Sequence, residues 1–325
     1  VFLSAGIPQD TSIDRTSIER NARMITTTKR AMVVLALATA MLGIVLGDTP
    51  SVRAATPGRD GLIAFSRPTD GQTDIWTADP RTGDVVRLTR TPATNESMPD
   101  WNADGTKLAY SRCGLGEFTN CDIWIMNADG TGQQRLTRTA LAQETWPAWS
   151  PDGTRIAFTS NAKDESQDIW VMKADGSNAR RITTTIGFDA FPEWSPDGTK
   201  IAFTSARVAM DDIWIVNADG THPLQITSGE QIDERPDWSP DGTVLVFSRD
   251  GDLWTVGVKG RALTQLTATD QWEFAPSFSP SGSRISFNRI EDDGRIGVWV
   301  MPADGARARQ LTNGELDFFP DWQSD

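Results

Sequence analysis

The feature that most constrains this chain is that it repeats itself. Trp-Ser-Pro-Asp-Gly begins at Trp149, Trp194 and Trp238, with variants at Trp101 and Phe278, and Asp321-Trp322 opens a sixth copy. Asp-Ile-Trp recurs at Trp76, Trp124, Trp170 and Trp214, with looser copies at Trp254 and Trp299. Leu-Thr or Ile-Thr closes each unit at Thr89, Thr137, Thr183, Thr227, Thr267 and Thr312, and the period runs from 40 to 48 residues. Repeats of that length built from short β-prone runs are the signature of four-stranded propeller blades.

Each unit reads as four strands. The innermost carries Pro-x-Trp, the second is Ile-Ala-Phe-like, the third holds Asp-Ile-Trp, and the outermost ends at Leu-Thr. Pro-Asp-Gly between the first two, and Ala-Asp-Gly between the last two, supply tight turns with a positive φ at Gly. The second strand alternates large and small residues, as expected where both faces of a blade are covered by neighbouring blades. The 13 Trp and 13 Phe are then mainly inter-blade packing. Five units are complete. The N-terminal part supplies only strands two to four (Leu62–Arg67, Asp74–Thr77, Val85–Thr89), and the C-terminus only an innermost strand, Phe319–Trp322. The sequence therefore predicts an all-β, six-bladed propeller of four-stranded blades, with one blade closed by strands from both termini, which removes the free sheet edge.

The run Trp-Ser-Pro-Asp-Gly-Thr-(Lys/Arg)-Ile-Ala-Phe-Thr-Ser, followed by Asp-Ile-Trp and Leu-Thr, resembles the TolB-type, WD-repeat-like propellers over roughly residues 60–325. The resemblance implies the fold and says little about function. The α/β domain that precedes the propeller in TolB finds no counterpart in the sequence, and a role in the Tol–Pal envelope system is not expected.

Ahead of the repeats, Val1–Arg23 is polar and without apolar period, and reads as an upstream start-site extension. Residues 24–54 read as a signal peptide: basic Lys29-Arg30, an apolar run Ala31–Gly47, then a polar stretch ending Val52-Arg53-Ala54 before the expected cut. An uncleaved anchor is the rival, because a run of 17 residues, broken only by Thr39, is long for a signal and slightly short for a span. With the leader removed, residues 55–325 form a single propeller domain with a net charge of −15 and no stable membrane insertion. That surface repels nucleic acid and anionic lipid, and suits cations, basic protein patches or neutral ligands. Cys113 and Cys121 flank one short loop; in an exported protein such a pair is a disulfide, stabilising by roughly 2–3 kcal/mol.

Catalytic constellations are nearly absent. The single His222 follows Ala-Asp-Gly in a tight turn and reads as inert, and no Gly-x-Ser-x-Gly elbow occurs. A carboxylate stands five residues before every innermost Trp or Phe: Glu96, Glu144, Asp189, Asp233, Glu273 and Asp317. These are expected near the channel mouth as blade-joining residues that accept hydrogen bonds from the neighbouring blade's backbone. The sharper alternative is a Ca²⁺ ion held by two or three of them with waters; otherwise no cofactor is required. The Asp of Asp-Ile-Trp is expected to fix a turn. One face of the propeller carries only tight turns. The other carries the variable connections Cys113–Cys121, Ala162–Gln167, Ala206–Asp211 and Ile290–Gly297, with Trp146, Phe188, Phe191, Arg235, Trp272, Phe274, Phe318 and Phe319 between blades. These residues are the candidate partner-binding face, and plugging of the channel mouth is their competing role. The expectation is an exported, monomeric, non-catalytic module for a protein or cell-envelope component, with a metal-dependent propeller hydrolase or lyase as the alternative.

Overall fold

The computed structural model describes residues 60–324 apart from 116–119, 141, 164–165, 208–209 and 315. The extension, the signal peptide and its cut lie outside the described residues. Every regular element described is a strand. Blade 1 joins β1 (Ile63–Thr69), β2 (Gln72–Ala78) and β3 (Val85–Arg87) to β24 (Phe318–Trp322), in the order β24-β1-β2-β3. Blade 2 is β4 (Thr94–Trp101) to β7 (Gln134–Arg135), and blade 3 is β8 (Glu144–Trp149) to β11 (Arg180–Arg181). Blade 4 runs from β12 (Asp189–Trp194) to β15 (Leu224–Gln225), blade 5 from β16 (Asp233–Trp238) to β19 (Arg261–Gln265), and blade 6 from β20 (Trp272–Phe278) to β23 (Arg309–Gln310). All six are antiparallel and four-stranded, as the repeats predict.

The core is six slabs between blades rather than one central mass. On each second strand the large residues face the preceding blade and the small residue faces the next. Ile201 and Phe203 of blade 4 pack on Ala157, Ile169 and Val171 of blade 3. Ala202 and Ile213 of blade 4 receive Leu245 and Phe247 of blade 5. The same arrangement seats Phe158 on Ala109, Tyr110 on Ala64, Phe287 on Val246 and Phe65 on Val298. Each of these rings is essentially inaccessible, so each contributes roughly 1.5–3 kcal/mol of burial.

Two motifs have their reasons in this packing. The Gly of Ala-Asp-Gly needs both a positive φ and close quarters: a Cβ on Gly176 (φ 84°) would lie 2.7 Å from the carbonyl oxygen of Leu136 in the preceding blade. The Thr of Leu-Thr is not a strand residue. The outermost strands are only two residues long in blades 2, 3, 4 and 6, and the Thr beyond them folds its hydroxyl onto the third strand. Its Oγ1 accepts the N–H of Ile75, Ile123, Ile169, Ile213, Leu253 and Val298 at 2.9–3.1 Å, once in every blade. This staple holds a strand that has almost no ladder of its own.

Closure uses both ends of the chain. Ile63 pairs with Trp322 and Ser66 with Phe318, while Gly61 N–H donates to the Gln323 carbonyl and Gln323 N–H to that of Leu62. Cys113 and Cys121 are disulfide-bonded across the loop at the end of β5 (Lys107–Gly114). Ending the chain at Asp317 removes β24 and exposes the flank of blade 1. That variant is expected to aggregate or to melt at least about 10 °C below the full propeller, read by circular dichroism. Melting within a few degrees of it would contradict velcro-type closure.

Candidate functional site

All six innermost strands carry the same irregularity. Their pairing with the second strand shifts register at the residue before Pro, and that residue has a left-handed backbone: Met98, Trp146, Phe191, Arg235, Ala275 and Phe319, with φ between 50° and 59°. Such a backbone is unusual outside Gly. It is held where the bulge N–H finds a side chain of the preceding blade: Ser66 Oγ for Met98, Thr159 Oγ1 for Phe191, Thr204 Oγ1 for Arg235 and Asn288 Oδ1 for Phe319, at 2.7–3.3 Å. The bulge turns one side chain per blade into the central channel. Six prolines form a second layer, and the x residues of Pro-x-Trp form a third, around a narrow space of about 80 Å³.

Arg235 dominates the mouth. Its guanidinium lies 4.2 Å from the ring centre of Trp146, 4.1 Å from Phe191 and 4.9 Å from Phe319. Trp146 meets Phe191 and Phe319 edge-on at 4.7 and 4.6 Å, and Phe188 extends the arc to Phe191 at 5.8 Å. A guanidinium among aromatic faces is a favourable cation–π arrangement. The predicted face thus divides. Trp146, Phe188, Phe191, Arg235 and Trp272 keep partial exposure, whereas Phe274, Phe318 and Phe319 are 4%, 0% and 6% exposed. Those three pack beneath the mouth and offer a partner almost no surface. Outside the arc, Ile186 stands 97% exposed on the approach to Phe188.

The six repeated carboxylates are 0–3% exposed. They were expected to accept from a neighbouring blade's backbone; the structure gives five of them an arginine in their own blade instead. Arg67 pairs with Asp317, Arg112 with Glu96, Arg207 with Asp189, Arg249 with Asp233 and Arg289 with Glu273, at 2.5–2.8 Å. Each arginine also lies over the Trp of the Asp-Ile-Trp position, from 3.9 Å at Trp124 to 5.3 Å at Trp254. The Trp is therefore a platform for the cation that neutralises the carboxylate. In blade 3 the corresponding arginine is missing. Glu144 there is raised above the ordinary carboxylate range by burial, against hydrogen bonds from Thr137 and Thr139. Among the described residues no three His, Cys, Asp or Glu side chains are grouped to hold a metal ion. The Asp of Asp-Ile-Trp ties the third strand to the fourth: Asp74 to Arg87, Asp122 to Arg135 and Asp168 to Arg181. His222 is exposed in its turn, with Nδ1 3.2 Å from Asn217 Nδ2.

The residues that do join blades through carboxylates are others, absent from the expectation. Asp321 Oδ2 accepts the N–H of Trp101, Asp100 Oδ2 that of Trp149, and Asp237 Oδ2 that of Phe278, each in the following blade, at 2.6–2.8 Å. With Glu193 they put four carboxylates in the third channel layer. Burial pushes Asp237 and Asp321 up to about 7. It also raises Asp100 and Glu193, with repulsion from the other channel carboxylates adding to the shift. The signal was in the sequence, since four of the six x positions of Pro-x-Trp are acidic.

A rigid six-bladed propeller with an aromatic-rimmed mouth over an acidic channel defines the class of protein. The sequence profile of the TolB beta propeller domain matches residues 63–187, 143–248 and 184–325, and the chain belongs to that family. No characterised protein sequence matches it. Among solved structures it is similar to TolB from Acinetobacter baumannii (21% identity, TM-score 0.70, covering 81% of this chain and 66% of that one). It is also similar to a putative TolB from Agrobacterium tumefaciens (22%, 0.65, 82% and 92%) and to a chain of a nidogen/laminin complex (12%, 0.68, 81% and 98%). An oligogalacturonate lyase in complex with manganese shares the fold more distantly (16%, 0.54, 74% and 73%).

Two outcomes follow from the acid groups. Removing Arg207 strands Asp189 in the core, so Arg207→Ala is expected to cost about 3–5 kcal/mol in denaturant unfolding. Glu144→Gln, which removes a buried carboxylate with no arginine opposite, should change stability by less than about 1 kcal/mol. The channel carboxylates contribute to the pH dependence together with Asp74 and Asp212, which burial raises to about 6. Their folded pKa values exceed the unfolded ones, so the folded state holds more protons between the two, and stability falls as pH rises from about 5 to 8. Glu193→Gln keeps the shape and removes one charge. Its melting temperature should exceed the parent's at pH 8 and approach it at pH 5; equal shifts at both would refute the linkage.

Proposed function

We propose that this protein is an exported, monomeric, non-catalytic binding module that recognises a protein or cell-envelope component through its variable-loop face. The observation that carries the reading is the mouth: a half-buried arginine caged by Trp146 and Phe191, with exposed Ile186 on the chain leading to Phe188. Tryptophan and arginine on a rigid, partly desolvated rim are the residue types in which binding energy concentrates. The bulges fix these side chains before a partner arrives, so little ordering remains to be done on association. Export is supported by the signal-peptide pattern and by the oxidised Cys113–Cys121 pair, and a protein partner by the likeness to a chain solved in the nidogen/laminin complex. The acidic surface suits a partner with basic patches.

The test is capture from an envelope extract and culture supernatant with immobilised parent chain, Trp146→Ala and Ile186→Asp. The parent should retain a specific protein. Trp146→Ala should weaken its binding about 30-fold or more, the loss of a hot-spot side chain, and EDTA should leave both retention and melting temperature unchanged. Retention indifferent to both substitutions would remove the mouth from the reading. A chelator-sensitive melting temperature would favour the metal-dependent alternative.

A further inference from the structure

The opposite face, made of tight turns, carries a pair of arginines at two of its six blade junctions. Between blades 3 and 4 two arginines of blade 3 line the cleft at the blade junction, of which about 390 Å³ stays open. Arg155, which follows Pro-Asp-Gly-Thr, lies 4.4 Å over the ring of Trp194 and donates to the Gly198 carbonyl at 3.3 Å. Arg180, the first residue of β11, donates to the carbonyls of Ala218 and Asp219 at 2.9 and 3.2 Å. The junction of blades 6 and 1 repeats this. Arg284 lies 5.6 Å over Trp322 and pairs with Asp60 at 2.9 Å, and Arg309, first in β23, donates to the Pro80 carbonyl.

At the junction of blades 4 and 5 the residues in the same two positions are Lys200 and Leu224. Lys200 turns back on its own blade, with Nζ 3.1 Å from Asn217 Oδ1, and Leu224 is 53% exposed. A cleft of about 770 Å³ remains, with Trp238, Ile215, Leu224 and Val258 as its apolar walls. Asp197 and Asp241 stand on its rim. Hydrogen bonds from Ser195 and Thr199, and from Ser239 and Thr243, hold both below the ordinary carboxylate range, so both are anionic at neutral pH. Those bonds all fall on Oδ1.

We propose that this cleft between blades 4 and 5 is a docking site for an arginine side chain carried by a basic segment of a partner protein. The molecule shows the pose itself, because its own arginines stack on the matching tryptophans at two other junctions. In the same pose a partner guanidinium would lie over Trp238, with the Gly242 carbonyl and the free edges of Asp197 and Asp241 within its reach. An aliphatic neighbour of that arginine would cover Leu224. A lysine could supply the charge but not the flat stacked fork. This site lies on the face away from the mouth and does not depend on it.

The probes are acetyl-Leu-Arg-Leu-amide and its lysine counterpart, titrated by calorimetry into the exported chain. The arginine peptide should bind saturably and at least about tenfold more tightly than the lysine peptide. Asp197→Asn with Asp241→Asn, which keeps the turn-forming Oδ1 atoms, should weaken it at least about tenfold. Lys200→Arg with Leu224→Arg rebuilds the arginine pair seen between blades 3 and 4. It should abolish binding while leaving the melting temperature unchanged or higher. No saturation below about 10 mM, equal affinity for both peptides, or binding that survives the double arginine variant would each overturn the proposal. Binding lost together with a large fall in the variant's melting temperature would also count against it, since the rebuilt arginine pair is expected to be stable. Loss of mouth binding in Trp146→Ala leaves these outcomes untouched, so the two sites fail separately.

Discussion

No blade of this molecule can hide its own apolar faces. A four-stranded sheet with Ile-x-Phe on one side and Ala with Ile or Val on the other is stable only between two others, large face against small. The remaining architecture follows from that requirement. Each blade must have two neighbours, so the set must close. The blade that contains both chain ends must then be sewn with strands distant in sequence. The outermost strands, farthest from the inter-blade slabs, have little apolar surface to anchor them, and a threonine hydroxyl on the third strand takes over that task in all six blades.

Packing blades around an axis also brings like charges together, and the fold answers this in two ways. Five of the six upper carboxylates are neutralised pair by pair, each by an arginine that is itself supported on a tryptophan face. Removal of one partner leaves the other charged in a place without water, which makes such pairs costly to break whatever their net worth. The channel carboxylates have no arginine of that kind. Asp100, Asp237 and Asp321 accept backbone N–H groups of the next blade, and the channel carboxylates hold protons at pH values where an ordinary aspartate is ionised. One ring is settled by ion pairing and the other by protonation.

The blade count, the strand order and the two-ended closure were legible because they rest on periodicity and on turn chemistry carried by neighbouring residues. The disulfide was legible from an isolated pair of cysteines. The partners of the upper carboxylates were not foreseen, although Glu96, Asp233 and Glu273 each pair with an arginine 16 residues later in the chain. That offset depends on the register of two strands, and the register is set by a bulge before each repeated proline, which strand periodicity alone does not announce. The same bulge decides which aromatics face the mouth. Phe318 and Phe319 are adjacent, yet only Phe319 reaches the arginine cage, and both are buried. The acidic x residues of Pro-x-Trp were overlooked for a simpler reason: attention to invariant letters passes over a variable position that is acidic four times in six.

The left-handed residue before each proline has a consequence for how such a molecule can change. Its side chain leaves the sheet, while the N–H that holds it belongs to the backbone and is indifferent to what the side chain is. Methionine, tryptophan, phenylalanine, arginine and alanine all occupy the position within this one chain. The mouth is thus a palette of six sites whose identity is uncoupled from the scaffold that presents them. The character of the mouth can drift by single substitutions there while the blades keep their packing, so two propellers alike in every strand can present unlike surfaces.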